Sequence, residues 1–258
     1  AGLRTNNKYS PFPEEMNRQM TGVLADLHFA PTENSKENLL RENKKEDGIS
    51  ITGNTAIDAL KTTVNPDYES EIIEKHKDNK VILLTAHRRE NIGMPMENIF
   101  SAVREIVEEF EDVTVVYPIH KNPKVREIAS KYLADHERIE IIEPLDVFDF
   151  HNFAAKSHII LTDSGGVQEE APSLQKPVLV LRDTTERPEG VEAGTLKLAG
   201  IQKEHIYELT KELLTDEDLY RKMAEANNPY GDGKASLRIC ENIKYYYGIR
   251  KDKPESFN

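Results

Sequence analysis

The sequence predicts an α/β fold built from doubly wound parallel sheets. Val81–Leu84 is an unbroken apolar run, which is typical of a strand buried on both faces. The segment after it carries apolar residues at helical spacing: Ile99, Phe100, Val103, Ile106, Val107 and Phe110. Strands and helices then alternate as far as Leu198, and this alternation indicates parallel strands joined by helical crossovers.

The first 63 residues predict a shorter α/β segment. Its expected elements are the helices Glu14–Leu24, Asn34–Leu40 and Thr55–Thr62 and the strands Leu27–Ala30 and Ile49–Ile51. Because two strands alone cannot bury both faces of a sheet, we interpret residues 1–63 as the tail of a first domain whose earlier strands are absent from this sequence. The chain also begins Ala-Gly-Leu-Arg-Thr without Met, so we expect further sequence upstream.

A charged segment with Pro66, Val64–Asn79, predicts a domain boundary. We assign residues 64–235 to a second domain and residues 236–258 to a C-terminal helix that packs back towards the first. The later strands are expected at Val113–Tyr117, Ile139–Ile142, His158–Thr162, Pro177–Leu181 and Gly194–Leu198. The apolar side of the last helix is expected to comprise Leu237, Ile239, Cys240, Ile243 and Tyr247.

Composition narrows the possible partners. The net charge is −12 and no basic stripe is present, so nucleic acid is disfavoured as a partner. The single cysteine, Cys240, excludes an internal disulfide framework and suits a reducing cytoplasm, which is where we expect the protein. The sequence has no apolar run long enough to span a membrane and no visible signal peptide, so no membrane partner is expected.

A Ser-Gly-Gly turn lies between an apolar strand and a helical pattern. Backbone N–H groups at such a turn attract a phosphate, and Gly165 and Gly166 would let the ligand approach the backbone closely. Glu170 lies one helical turn further on, where a carboxylate can accept hydrogen bonds from sugar hydroxyls. The alternative is an ordinary βα turn in which Ser164 caps the helix.

Other polar groups follow the ends of predicted strands, where parallel sheets bind ligands. His87 could transfer protons or bind a diphosphate oxygen, although it could equally be a surface histidine. Arg88 offers bidentate anion contacts or a plain salt bridge, and Arg187 is a candidate phosphate clamp. His120 is a weaker candidate that could be purely structural.

Glu14 is the most interesting carboxylate near the amino terminus. Beside prolines and an aromatic residue it could do general acid/base work, or it could be a solvated acid at a helix start. No metal site is expected, because the histidines lack metal-ligand spacing.

Five motifs carry a family resemblance along the whole chain. They are Ala1–Thr5, Tyr9–Arg18, Thr85–Asn91, Leu161–Ala171 and Leu181–Gly190. Together they resemble the non-hydrolysing UDP-N-acetylglucosamine 2-epimerases. The resemblance implies two Rossmann-like domains in the glycosyltransferase B arrangement, the first of them truncated here. It also implies interconversion of UDP-N-acetylglucosamine and UDP-N-acetylmannosamine with no cofactor, by elimination of UDP to 2-acetamidoglucal and re-addition.

The resemblance also implies roles for individual residues. Glu14 and His87 would be catalytic, with the histidine at the diphosphate. The UDP-sugar site would comprise Phe150 at the uracil, Ser164, Gly165 and Gly166 at the phosphates, Glu170 at the ribose and Arg187 as a phosphate clamp. Arg88 and His120 would belong to a second pocket in which UDP-N-acetylglucosamine activates the enzyme. A homodimer and a supply of cell-surface polysaccharide precursors are implied as well.

One departure from the family pattern is large. The family's catalytic Glu directly before the Ala-Gly-Leu-Arg motif, an Asp further upstream and most of the first domain precede the present sequence. We therefore expect this polypeptide to retain UDP-site elements and to lack epimerase activity. Three alternatives stay open: a hydrolysing relative, a UDP-sugar glycosyltransferase of the same fold, and a nucleotide-sugar binding module.

Overall fold

A computed structural model describes residues 1–9 and 12–257, so Ser10 and Pro11 of the second motif lie outside the described residues. The chain divides into two compact units. The first comprises Ala1–Thr62 and Pro229–Asn258, and the second comprises Thr63–Asn228. The first unit is therefore built from both ends of the chain, and the second is one continuous segment.

The first unit begins with alternating helices and strands. They are α1 (Glu14–Leu24), β1 (His28–Ala30), α2 (Glu33–Arg41), β2 (Ile49–Ile51) and α3 (Thr55–Thr63). The two strands pair in parallel, with His28 opposite Ile49. Thr32 caps α2 by accepting a hydrogen bond from the Ser35 backbone N–H, as Ser and Thr do at helix starts. A small core of Ala30, Leu39 and Ile49 lies between this helix and the strands.

The second unit holds a larger sheet covered by helices. Its elements are α4 (Glu71–Lys75), β3 (Lys80–Thr85), α5 (Met94–Glu109), β4 (Val113–Pro118), α6 (Pro123–Leu133), β5 (Ile139–Ile142), α7 (Val147–Lys156), β6 (Ile159–Thr162), α8 (Gly165–Glu170), β7 (Val178–Val180), α9 (Pro188–Glu192), β8 (Leu196–Leu198), α10 (Lys203–Thr215) and α11 (Glu217–Ala224). The short helix α4 was not expected from its charged sequence.

The six strands of this sheet are parallel and lie in the order β5-β4-β3-β6-β7-β8. Alternate side chains of β3 enter two separate cores, Ile82 and Leu84 on one face and Val81 and Leu83 on the other. The prediction of a doubly wound parallel fold is confirmed. The strand order reverses between β3 and β6, and ligands of such sheets bind beside the carboxyl ends of the strands at that point.

The last helix, α12 (Ala235–Tyr246), belongs to the first unit. Polar contacts attach it there: the backbone N–H groups of Ala235 and Ser236 donate to Asp58, and Ser50 donates to Asn242. The apolar side predicted for this helix is largely exposed. Leu237 is 60% exposed, and Ile243, Cys240 and Tyr247 are exposed too, with Ile239 only half-buried.

The second unit ends earlier than the 64–235 boundary expected from the sequence. Tyr230 and Gly233 belong to the first unit, where their carbonyl oxygens accept hydrogen bonds from the Asn54 backbone N–H and from Lys61 Nζ. None of the described helices is long and apolar enough to cross a membrane.

Candidate functional site

The carboxyl ends of β3 and β6 lie side by side at the point where the strand order reverses. Thr85 pairs with Thr162 in the register, and their hydroxyl oxygens are 2.5 Å apart. Thr162 Oγ1 also accepts a hydrogen bond from the Ser164 backbone N–H. The loop that carries His87 and the Ser-Gly-Gly turn are therefore held together by the strands that precede them.

The two glycines of the turn have different surroundings. Gly165 is buried, and a Cβ there would lie 2.4 Å from Nη1 of Arg187. Gly166 is exposed, and a Cβ there would approach only Glu170 Oε1, at 3.9 Å. Ser164 is the N-cap residue of α8, but its side chain makes no capping hydrogen bond there. Gly166 is thus the position at which a ligand can approach the backbone.

A buried carboxylate joins this turn to the loop after β3. Asp163 is fully buried, and its Oδ2 accepts hydrogen bonds from the backbone N–H groups of His87 (2.9 Å) and Arg88 (2.8 Å). Asn91 Nδ2 donates to the same oxygen at 3.1 Å. Sequence reasoning missed Asp163, although a lone acid directly before the Ser-Gly-Gly turn, at the end of an apolar strand, was a usable signal.

The loop brings two predicted residues into contact. The rings of His87 and His120 stack at 5.5 Å between centroids and 11° between planes. Arg88 Nε donates to the Asp163 backbone carbonyl at 2.7 Å, which fixes the start of its side chain. The structure thus places His87, Arg88 and His120 together, beside the Ser-Gly-Gly turn.

Arg187 lies in a buried cluster of opposite charges. Its Nε donates to Glu169 at 2.5 Å and its Nη1 donates to Glu186 at 2.7 Å. Glu186 also accepts from Arg182 Nη1 at 2.7 Å, and Arg88 Nη2 lies 3.6 Å away. Sequence reasoning expected an available phosphate clamp, whereas the structure pairs this guanidinium with two carboxylates that local patterns did not indicate.

The charges in this cluster shift the titration of Glu186 and Arg187. Burial alone would raise the pKa of Glu186, but Arg187 and Arg182 outweigh it and lower this pKa to about 2. Burial alone would lower the pKa of Arg187, but Glu169 and Glu186 raise it instead. Glu186 and Arg187 are therefore both ionised near neutral pH, and the negative charge of Glu186 offsets part of the positive charge of Arg187.

The candidate ribose and base contacts lie on α7 and α8. Glu170 Oε2 is 3.5 Å from His151 Nε2, and His151 Nδ1 is 2.7 Å from the Thr63 hydroxyl. These contacts through His151 keep the Glu170 carboxylate near the Ser-Gly-Gly turn. Phe150 is half-buried and meets the His151 ring edge-on at 6.3 Å between centroids.

Glu14 lies in the first unit, at the start of α1, where its side chain is exposed. Its neighbour Glu15 is fully buried instead and accepts hydrogen bonds from the Thr5 backbone N–H, Arg18 and Gln19. Glu15 thus links the amino-terminal segment to α1 through hydrogen bonds. The catalytic role of Glu14 stays a prediction. Among the described residues no three His, Cys, Asp or Glu side chains gather as they would around a metal ion.

Known proteins are similar to this chain in sequence and in fold. A family profile described as UDP-N-acetylglucosamine 2-epimerase matches residues 1–244. A Bacillus subtilis protein named UDP-N-acetylglucosamine 2-epimerase is 69% identical over 257 residues, which cover 100% of this chain and 68% of the relative. An Escherichia coli protein of the same name is 49% identical, over 95% of this chain and 67% of the relative.

Solved structures agree with these relatives. The S. aureus MnaA–UDP structure superposes with a TM-score of 0.97 at 64% identity, covering 100% of this chain and 71% of that one. The Neisseria meningitidis UDP-GlcNAc 2-epimerase bound to UDP-GlcNAc gives a TM-score of 0.87 at 48% identity, with 94% and 68% covered.

Proposed function

This chain belongs to the UDP-N-acetylglucosamine 2-epimerase family, and from that premise we propose that it binds UDP-N-acetylglucosamine and serves in its interconversion with UDP-N-acetylmannosamine. The observation that carries the proposal is the gathering of the Ser-Gly-Gly turn, the His87 loop and the Arg182–Arg187 cluster where the strand order reverses. Relatives solved with UDP or UDP-GlcNAc support the choice of ligand.

We assign the diphosphate to the exposed face of the Ser-Gly-Gly turn. Gly166 allows close approach, Ser164 offers a hydroxyl, and His87 can donate to a phosphate oxygen. Arg187 lies directly beneath Gly165 and adds positive charge from below the turn. These groups would stabilise the negative charge that develops when UDP departs from the sugar.

The nucleoside would extend from the turn along α7 and α8. Glu170 accepts hydrogen bonds from ribose hydroxyls, and Phe150 provides an apolar ring for the uracil. Elimination also requires a base for the proton at C2 of the sugar, and we assign that work to the exposed carboxylate of Glu14.

The proposal extends to regulation, assembly and cellular role. Arg88 and His120 would form the activating second pocket, and the stacking of His120 on His87 would connect that pocket to the diphosphate. The homodimer, the cytoplasmic location and the supply of polysaccharide precursors rest on the family resemblance and on composition. An activation curve for UDP-N-acetylglucosamine in wild type and Arg88→Ala would test the second pocket.

Two experiments test the proposal. Calorimetry with UDP measures binding, and chromatography of the products formed from UDP-N-acetylglucosamine measures turnover. We expect UDP to bind, and Glu170→Gln to weaken binding about tenfold or more because a charge-assisted hydrogen bond is lost. Glu127→Gln, an exposed carboxylate on α6, is the matched control and should leave binding unchanged.

Absence of UDP binding by the folded wild-type chain contradicts the proposal. The products distinguish the reactions: UDP-N-acetylmannosamine indicates epimerisation, free sugar indicates hydrolysis, and a glycosylated acceptor indicates transfer. Turnover comparable to that of the B. subtilis relative would contradict the sequence-based expectation of an inactive chain and would leave the binding proposal standing.

A further inference from the structure

We propose that Asp163 is a positioning residue that holds the His87 imidazole with its Nδ1–H towards the Asp163 carboxylate, so that Nε2 is the atom presented to an anionic ligand. The inference rests on the proposed function in one respect, that the ligand is a nucleoside diphosphate. It adds a residue that acts through His87 and that makes no ligand contact of its own.

The two carboxylate oxygens of Asp163 have different surroundings. Oδ2 accepts three hydrogen bonds, two from backbone N–H groups and one from Asn91. Oδ1 has no hydrogen-bond partner among the described residues, although it is buried, and it lies 3.4 Å from His87 Nδ1. A buried carboxylate oxygen without a donor is costly, so a proton on Nδ1 is favoured because it places a positive hydrogen on the ring nitrogen nearest this oxygen.

Hydrogen bonds from two further side chains attach the His87 loop to the sheet. Tyr117 donates from its hydroxyl to the Ala86 carbonyl at 2.7 Å, and this ring is fully buried beneath the loop. Burial, followed by the charge of Asp163, raises the pKa of Tyr117, so its hydroxyl remains a donor over the whole working range of pH. Asn91 also donates to the Leu181 carbonyl, which joins the loop to the end of β7.

The two nitrogens of an imidazole are chemically distinct, and the partner of one sets the role of the other. With Nδ1 on the side of Asp163, Nε2 is the other nitrogen of a side chain that is 41% exposed. Nε2 can then take a proton from solvent and donate a hydrogen bond to a phosphate oxygen, while the buried carboxylate stabilises the imidazolium. A carboxylate behind a catalytic histidine acts in this way in serine proteases.

Asp163→Asn separates this role from a purely structural one. The amide has the same shape, and its oxygen can still accept from the His87 and Arg88 backbone N–H groups. Its NH₂ would replace Oδ1 and donate to Nδ1, which forces the proton to Nε2. Long-range ¹H–¹⁵N spectra at about pH 8, where an ordinary imidazole is neutral, report the tautomer, with His87→Gln identifying the signals.

We expect the Nδ1–H tautomer of His87 in the wild type, the Nε2–H tautomer in Asp163→Asn, and a UDP affinity at least about tenfold weaker in that variant. Glu140→Gln, at the carboxylate that contacts His76 in the same unit, should change neither the His87 signals nor UDP affinity. In a His87→Gln background, Asp163→Asn should cost almost no further affinity because the two residues act as one unit.

Three results would overturn the inference: an Nε2–H tautomer in the wild type, an unchanged tautomer in Asp163→Asn, or an equal loss of affinity in the presence and absence of His87. The wild-type spectrum decides the question even if Asp163→Asn does not fold. If the wild type fails to bind UDP, the proposed function fails, whereas the tautomer measurement still decides the role of Asp163.

Discussion

At the scale of single residues, a side chain would meet different surroundings at the two glycines of the turn. Gly165 leaves room for a guanidinium of the protein itself, and Gly166 leaves room above the turn. A sequence motif cannot distinguish these surroundings, because both positions carry the same letter. The difference can be tested with one methyl group at each position.

Gly165→Ala should destabilise the protein by about 1–3 kcal/mol, since the new methyl displaces Arg187 from Glu169 and Glu186. Gly166→Ala should leave stability unchanged or raise it by up to about 1 kcal/mol, because alanine favours the helix. The same change should nevertheless weaken UDP binding on the order of tenfold by blocking approach to the backbone. Chemical denaturation and calorimetry on both variants make the comparison, and unaltered UDP binding by Gly166→Ala would refute it.

His158 should make the protein sensitive to mild acid. Burial, then the charges of Lys80 and Lys176, lowers the pKa of His158 to about 4, against a smaller opposing effect of Asp112. Between about pH 6.5 and pH 4 the unfolded chain therefore binds more protons at this residue than the folded chain does. Its stabilising contribution is complete above about pH 6.5 and is lost as the pH falls to about 4.

His158→Phe should reduce the loss of stability over that pH range. Phenylalanine preserves the stacking on Tyr220, whose ring lies 4.3 Å from that of His158 between centroids at 9° between planes. The free energy of unfolding, measured by urea denaturation at several pH values, should fall less steeply in the variant than in the wild type. Equal slopes would show that other groups control the acid response.

At the scale of elements, sequence patterns predicted the strands of the second unit well because these strands are buried on both faces. An unbroken apolar run such as Val81–Leu84 is stable mainly as a strand with both faces buried. The same holds for the adjacent strands β4 and β6. The cluster around Arg187 was not predictable in the same way. Its partner Glu169 lies 18 residues away, and only the fold brings the two together.

The last helix, α12, shows what sequence periodicity does not predict. Its apolar residues fit one helical side, but periodicity does not say what covers that side, and α12 is attached by polar residues instead. Leu237→Ala should therefore change the free energy of unfolding by no more than about 0.5 kcal/mol. Leu39→Ala in α2, at a side chain only 1% exposed, should cost about 2–5 kcal/mol in the same unit. Denaturation of both variants tests the comparison, and a large effect at Leu237 would mean that this surface is covered in solution.

At the scale of the whole molecule, the candidate residues are distributed unevenly between the two units. All the proposed UDP contacts lie in Thr63–Asn228, and Glu14 alone lies in the other unit. Binding and proton transfer are thus assigned to different parts of the chain. Strand-end motifs predicted most of the proposed nucleotide contacts, whereas the assignment of Glu14 depended mainly on the family resemblance.

A polypeptide of residues 63–228 should fold alone and bind UDP within about threefold of the full chain's affinity, because it contains the complete six-stranded sheet, both cores and every proposed UDP contact. Circular dichroism would establish folding and calorimetry would measure UDP affinity, with Glu170→Gln in the same fragment as the control. A folded fragment that does not bind UDP would show that residues of the first unit complete the nucleotide site. A fragment that does not fold would show instead that the second unit depends on the rest of the chain for its stability.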